Sequence, residues 1–193
     1  PLKTLILGCN GQLGRALAEV YPEADRVDID ELDLTDPAQV AAWPWHEYDL
    51  LLNAAAYTAV DGAETEAGRP VAWAANAAAP ATLARIATEH RLTLVHYSSD
   101  YVYDGTAELH TEDEPLAPLG VYAQTKAAGD IAVGTTPRHY VLRTSWVVGD
   151  GRNFVRTMRT LAQDGVSPTV VDDQVGRLTF TDELARATRH LVD

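Results

Sequence analysis

Thr4-Leu5-Ile6-Leu7-Gly8-Cys9-Asn10-Gly11-Gln12-Leu13-Gly14 decides the fold. An apolar run of strand character feeds directly into three glycines spaced G-x-x-G-x-x-G, and a helical period opens at the last of them. Glycines at such a junction permit a tight turn and close approach of backbone to a pyrophosphate, while the helix N-terminus supplies N–H donors and positive potential. The same triplet also suits plain strand–helix packing, so its meaning comes from the pattern around it.

That pattern is strand alternating with helix. Thr4–Leu7, Val27–Ile29, Leu50–Leu52, Leu92–Val95, Tyr140–Leu142 and Thr169–Val171 read as strands, with helical segments between them. Asp36-Pro37 reads as an N-cap followed by proline at the first helical position, and Thr181 opens another helix with Asp182 and Glu183 in its first turn. The Ala-rich stretch from Val71 to Glu89 is the longest helix, with a kink or break expected at Pro80. No repeat or linker divides residues 1–193, so they read as one NAD(P)-binding domain. Alternation of this kind predicts an α/β fold, a Rossmann-like doubly wound parallel sheet.

The formal net charge of −13 argues against a nucleic-acid backbone or an anionic membrane as partner. A phosphate-bearing ligand must then be held locally, by backbone N–H groups or a few cations. One cysteine, Cys9, excludes an internal disulfide and fits a reducing compartment, and neither a leader nor an apolar run of membrane-spanning length is visible. A cytoplasmic location is expected. The chain opens at Pro1 without a methionine, as a processed, trimmed or excised fragment would.

Candidate site residues gather at the carboxyl ends of the strands, where open α/β sheets bind ligands. The glycine loop, Gly8, Asn10, Gly11, Gln12, Leu13 and Gly14, is the first. Asp28-Ile29-Asp30 closes the second strand, and Asp30 stands where an acid would accept from the adenosine ribose; a solvated strand end is the bland alternative. Arg15, after the last glycine, could reach a 2′-phosphate, so NADPH and NADH both stay open. Asp33 and Leu34 follow as neighbours of an adenine. Ala54, Ala55 and Ala56 end the third strand with small side chains that let a ligand lie on the backbone, although small residues also suit packing. His96-Tyr97-Ser98-Ser99-Asp100-Tyr101 is hydroxyl-rich at the end of the fourth; adjacent serines can also cap a turn. Tyr122 and Lys126 then lie at i and i+4 on one helical face, which brings an ammonium near a phenol and favours the phenolate.

With these motifs in order, the chain resembles the extended short-chain dehydrogenase/reductases. More narrowly it is similar to the dTDP-4-dehydrorhamnose reductase family, through Asn10–Gly14, Asn53–Asp61, Ser99–Gly105, Arg143-Thr144-Ser145-Trp146 and Val171-Asp172-Asp173-Gln174. The resemblance implies NADPH- or NADH-dependent reduction of the C4 ketone of dTDP-4-dehydro-L-rhamnose, in polysaccharide biosynthesis. It implies Tyr122 as general acid, Lys126 tuning it and holding the nicotinamide ribose, and Ser99 polarising the carbonyl. It places Thr58, Val60 and Tyr101 near the sugar and Trp146 and Asn153 near the nucleotide, with core packing the alternative for Trp146. Asn76 matches an asparagine that orders the site and a proton relay, although a helical Asn is more often structural.

The chain departs from the family at several points. Ser99 stands where threonine is usual, and Gly176-Arg177-Leu178-Thr179 lacks a proline common in that loop. Ala16 replaces a glutamate that in some members takes part in a metal site at a dimer interface, so no metal is expected and a homodimer is left open. Family members run well beyond residue 193, which leaves the C-terminal substrate lobe largely missing. Two other readings stand beside the reductase: another extended short-chain epimerase or dehydratase acting on nucleotide sugars, and a non-catalytic, reductase-like regulatory subunit.

Overall fold

β1 (Thr4–Leu7), β2 (Asp25–Val27), β3 (Leu50–Asn53), β4 (Thr93–Ser99) and β5 (His139–Thr144) form one parallel sheet in the order β2-β1-β3-β4-β5, in a computed structural model that describes all 193 residues. β1 pairs with β2 on one side and β3 on the other, so the chain reverses its winding direction across β1. In an open α/β sheet such a switch point leaves a crevice outside the carboxyl ends of the strands.

The strands bury both faces, and their alternation assigns each residue to a side. Leu5, Leu7, Leu51 and Leu94 pack against Leu83, Ala84, Ile86 and Ala87 of α5 (Ala79–His90). Ile6, Leu50, Leu52 and Val95 face the other way, onto Leu17 of α1 (Gln12–Val20) and Leu184 and Ala185 of α8 (Thr181–Val192). Full burial of each such leucine contributes about 2 kcal/mol. A buried hydrogen bond between the hydroxyls of Tyr97 and Thr188, 2.8 Å long, ties α8 to β4.

Two expected strands are corrected. β2 ends at Val27 rather than Ile29, because β1 ends at Leu7 and the Val27 carbonyl accepts from both Gly8 N–H and Cys9 N–H, at 3.0 and 3.1 Å. Thr169–Val171 is not a strand: this β-branched run finds no sheet edge to pair with, and Val170 and Val171 are exposed. A separate parallel pair forms instead between β6 (Val147–Val148) and β7 (Thr179–Phe180). β4 and β5 also run further toward their carboxyl ends than expected, carrying Ser99 and Thr144 into the ladder.

Asp36 caps α2 (Pro37–Ala42) as its sequence implied, accepting from the N–H groups of Ala38 and Gln39. The long Ala-rich helix does not break at Pro80. α4 (Gly68–Trp73) continues through a π-helical turn at Ala74–Ala78 into α5. Pro80 has no N–H for the carbonyl of Asn76 one turn earlier, and widening that turn accommodates the ring. The freed carbonyl lies against Gly129 of α6 (Val121–Val133), where a Cβ would come within 2.2 Å of it. This close approach sets the position of α6, the helix that carries Tyr122 and Lys126.

Candidate active site

The glycine loop builds the first of two clefts. Gly8 has φ +76°, and a Cβ there would stand 2.6 Å from the Ala55 nitrogen. At Gly14 a Cβ would stand 2.1 Å from the Gly8 carbonyl oxygen, so β1 and α1 meet backbone to backbone. A Cβ on Gly11 would have nothing nearer than 3.5 Å, and this glycine opens α1 as an N-cap with no side chain bonded to the helix N–H groups. Free N–H groups at the start of a helix beside open space suit a pyrophosphate. The cleft they border, about 280 Å³, is walled by Gly8, Gly11, Asp28, Ile29, Asp33, Leu34 and Ala54–Ala56.

Several expected residues lie elsewhere. Asp30 is exposed and does not line this cleft; Asp28 does, because the chain turns away once β2 ends at Val27. The Leu13 side chain packs against the core cluster that includes Leu184 and Ala185 of α8, and it does not line this cleft. Arg15 does not line this cleft; its guanidinium lies against the carbonyl oxygens of Asn10 and Asp150. Asn10 contributes its backbone, its N–H donating to Asp28 Oδ2 at 2.9 Å.

Gln12, next to Gly11, lines a second cleft of about 510 Å³. Here Thr58, Val60, Ser99, Tyr101, Tyr122, Trp146 and Asn153 come together. Ser99 Oγ accepts from the N–H of Tyr101 at 3.1 Å, which fixes the turn after β4. The rings of Tyr101 and Tyr122 meet edge to face at 6.1 Å. Burial pushes the Tyr122 phenol up to about 12, the neighbouring Tyr101 phenol and the Asp100 carboxylate push the same way, and the Ser99 hydroxyl opposes them. The expected lowering by Lys126 is not found. Lys126 Nζ donates to the carbonyl of Tyr97 at 2.7 Å, and burial lowers its pKa to about 8, with Asp130 opposing.

Asn76 lines neither cleft. Fully buried in the π turn, it accepts from the N–H of Tyr57 and donates to the Tyr57 carbonyl, each at 2.9 Å, and to Thr125 Oγ1 at 3.2 Å. It thus clamps the loop after β3 to α6. Asn153 also ties backbone together: its amide donates to Gln12 Oε1 at 2.9 Å and to the Gly149 carbonyl at 3.1 Å, and its oxygen caps α7 (Phe154–Gln163). Trp146 is not core. It is 39 % exposed on the cleft wall, beside Phe154, with φ +41°. A bulky side chain in that left-handed region costs about 1–3 kcal/mol. Hydrogen bonds from Thr179 hold it there, through Thr179 N–H to the Trp146 carbonyl at 3.1 Å and Thr179 Oγ1 to the Ser145 carbonyl at 2.6 Å.

A buried polar group behind Lys126 escaped the sequence reading. Asp130 lies one further turn along the Tyr122–Lys126 face, and its carboxylate pairs with Arg143 Nε at 2.9 Å. Arg143 in turn donates to the Tyr103 hydroxyl at 2.7 Å. His96 sits alongside, bonded through Nδ1 to Asn53 Nδ2 at 3.1 Å; burial, and after it Lys126, holds its pKa well down, so its 3.9 Å approach to Asp130 is not an ion pair. The i, i+4, i+8 spacing of Tyr122, Lys126 and Asp130 was the available signal. Replacing Asp130 by Asn strands Arg143 and Lys126 without a counter-charge. A loss of about 2 kcal/mol is expected in urea denaturation, less than for a fully buried pair because Arg143 is partly exposed.

No group of three or more His, Cys, Asp or Glu side chains is gathered to hold a metal ion, and no helix is long and apolar enough to cross a membrane. A family model described as the RmlD substrate binding domain matches residues 2–193. A probable dTDP-4,6-dihydroxy-2-methyloxan-3-one 4-ketoreductase of Streptomyces antibioticus is 44% identical over 193 residues, covering 95% of this chain and 65% of the relative. A dTDP-4-dehydrorhamnose reductase of Mycobacterium tuberculosis is 39% identical over 203 residues, covering 99% and 66%. The crystal structure of a dTDP-4-dehydrorhamnose reductase of Bacillus anthracis in complex with NADP is 32% identical, with a TM-score of 0.92 over 99% of this chain and 70% of that one. The chain thus spans about two thirds of the length of the curated relatives it matches. With the glycine loop, the cleft holding Ser99 and Tyr122, Lys126 buried behind it, and a family match over nearly every residue, this chain belongs to the RmlD substrate-binding domain family, that of the dTDP-4-dehydrorhamnose reductases.

Proposed function

We propose that residues 1–193 form the coenzyme-binding and catalytic part of an NAD(P)H-dependent dTDP-4-dehydrorhamnose reductase, reducing the C4 ketone of dTDP-4-dehydro-L-rhamnose in the cytoplasm. The observation that carries this reading is the placement of Ser99 and Tyr122 on one cleft wall, with Gln12 of that cleft following directly on Gly11 of the glycine-lined one. Gly8, Gly11 and Gly14 fit a dinucleotide, since a Cβ at the first or last would fill backbone space and Gly11 faces open room below uncapped N–H groups. Asp28, Asp33, Leu34 and Ala54–Ala56 would flank its adenosine half. A reduced nicotinamide supplies hydride.

The residues of this chain manage the charge that reduction places on the ketone oxygen. Tyr122, pushed up to about 12, keeps its proton at neutral pH and so has one to release to the developing alkoxide. Ser99 Oγ donates toward the same oxygen, adding electrostatic stabilisation where negative charge develops. Lys126, buried against the Tyr97 carbonyl, would contribute positive charge beside the nicotinamide ribose below pH about 8. Thr58, Val60, Tyr101 and Trp146 would contact the sugar nucleotide, with Asn153 holding the wall they stand on.

The Streptomyces antibioticus relative, named for a different dTDP-linked ketone, favours a second reading in which the same groups reduce another dTDP-4-keto sugar. Coenzyme oxidation by the chain extended to its relatives' length, assayed with both ketones, separates the two; turnover of neither would refute both. A pH profile gives a further expectation. Lys126 loses its proton near pH 8 in the fold, so kcat/KM for coenzyme should fall as pH rises through about 8. The unfolded chain keeps that proton up to the ordinary lysine value near ~10.4, so between the two values this group makes folding more favourable as pH rises. Activity and stability should therefore diverge on the alkaline side, which paired kinetic and denaturation series would reveal.

A further inference from the structure

We infer that the Gln12 side chain is a positioning group for the sugar nucleotide and not a ligand of the coenzyme: it sets the segment Gly149–Asn153, and with it Arg152, against the substrate's diphosphate. The inference rests on reading the second cleft as the sugar-nucleotide site. Gln12 is the first residue of α1 and follows directly on Gly11 of the glycine loop. Its side chain reaches residues 137 and 141 positions further along the chain, Oε1 accepting from Gly149 N–H at 3.1 Å and from Asn153 Nδ2 at 2.9 Å. The same Asn153 amide donates to the carbonyls of Gly149 and Gly151, at 3.1 and 3.3 Å, so the segment folds around one glutamine oxygen. Its backbone comes close to its neighbours. Gly151 has φ +133°, and a Cβ there would stand 3.1 Å from Gln12 Cγ; a Cβ on Gly149 would stand 2.4 Å from Thr181 Oγ1, at the start of α8.

This segment joins β6 to α7, and Val147, Val148, Arg152, Asn153 and Phe154 line the second cleft. Arg152 is the one Lys, Arg or His among the residues lining it, and Asp100 the one carboxylate. The cations beside Arg152 are engaged: Arg156 pairs with Asp150 at 3.0 Å, and Arg15 lies against the carbonyls of Asn10 and Asp150. Arg152 itself is exposed and has no partner within the chain. A guanidinium presents a planar fork of donors that matches phosphate oxygens. On a chain of net charge −13, a diphosphate needs such a local cation. Without the Gln12 acceptor, Gly149 N–H loses its partner and the segment is no longer fixed at α1.

The test is steady-state reduction of dTDP-4-dehydro-L-rhamnose by the chain extended to its relatives' length, at low and high salt, beside coenzyme titration by nicotinamide fluorescence. Gln12→Met removes the acceptor at similar length and keeps the backbone N–H. KM for the sugar nucleotide should rise about 10-fold, the scale of one lost hydrogen-bonded contact. Coenzyme affinity and kcat should each change less than about threefold. Arg152→Gln should raise the same KM and flatten its salt dependence, since the charge that salt screens is gone; Arg152→Lys should restore that dependence. Because both side chains act on one contact, the double variant should be little worse than Arg152→Gln alone. Coenzyme affinity that falls as far as sugar-nucleotide affinity in Gln12→Met overturns the inference, as do effects that multiply in the double variant. So does an unmoved KM in Arg152→Gln, an exposed substitution that decides the matter even where Gln12→Met fails to fold. Turnover of no dTDP-linked ketone by the unsubstituted chain instead overturns the reading of the second cleft itself.

Discussion

Tyr122→Phe, in the chain extended to the length of its relatives, is expected to lower kcat for ketone reduction by about 10²–10⁴, the usual contribution of a positioned general acid. The substitution keeps the ring and its edge contact with Tyr101, so packing of the cleft wall is largely preserved. What it removes is one O–H group that burial keeps protonated up to about 12. Coenzyme affinity should change far less than kcat, because Lys126 is anchored independently on the Tyr97 carbonyl. Lys126→Ala should show the opposite emphasis, weakening coenzyme binding along with turnover. If Tyr122→Phe retained wild-type kcat, the assigned acid would be wrong even though the fold and the coenzyme site stood.

Gly14→Ala is expected to be among the most damaging single-methyl additions in the chain, and the one aimed most directly at the coenzyme loop. The new Cβ would stand 2.1 Å from the Gly8 carbonyl oxygen, 2.7 Å from the Cys9 Cα and 2.9 Å from the Cys9 carbonyl carbon. All three are backbone atoms of the loop itself, so no rotamer change relieves the clash. Either α1 moves off β1 or the glycine turn opens. The helix also carries Leu17 into the core shared with Ile6 and Leu184, so displacement spreads into packing. Overpacking usually costs about 1–3 kcal/mol, and a clash against fixed backbone belongs at or above the upper end. Thermal denaturation should show that loss, and dinucleotide titration should show binding reduced beyond detection. Gly165→Ala is a useful contrast: it lies in the left-handed region with no atom within 4 Å of the added carbon, so it should cost strain but leave coenzyme affinity intact.

Much of this was legible because it rests on local pattern. Apolar runs ending in glycine or small residues placed β1 and β3, and the i, i+4 relation put Tyr122 and Lys126 on one face of α6. What escaped depends on partners distant in sequence. β2 stops at Val27 because β1 stops at Leu7, and that early stop exchanges Asp30 for Asp28 on the cleft wall. Thr169–Val171 has strand composition but no neighbouring edge. The phenol was expected to be lowered by its ammonium neighbour; burial outweighs that, because the ammonium is turned to a carbonyl. Asn76 was expected near substrate, yet its amide fastens the loop after β3 to α6, and Asn153, which does line the second cleft, also ties that wall to Gln12. Neither the π turn that buries Asn76 nor the left-handed backbone of Trp146 leaves a mark in residue type alone.

The central claim is that the cleft holding Ser99 and Tyr122 delivers hydride from the glycine-bound coenzyme to a sugar ketone. Its most direct test uses coenzyme deuterated at the nicotinamide C4, incubated with dTDP-4-dehydro-L-rhamnose and the chain extended to its relatives' length. Mass spectrometry and proton NMR of the product should show one deuterium, carried on sugar C4. Coenzyme oxidation without deuterium at that carbon, or an unchanged ketone in the presence of folded, coenzyme-bound protein, would contradict the account.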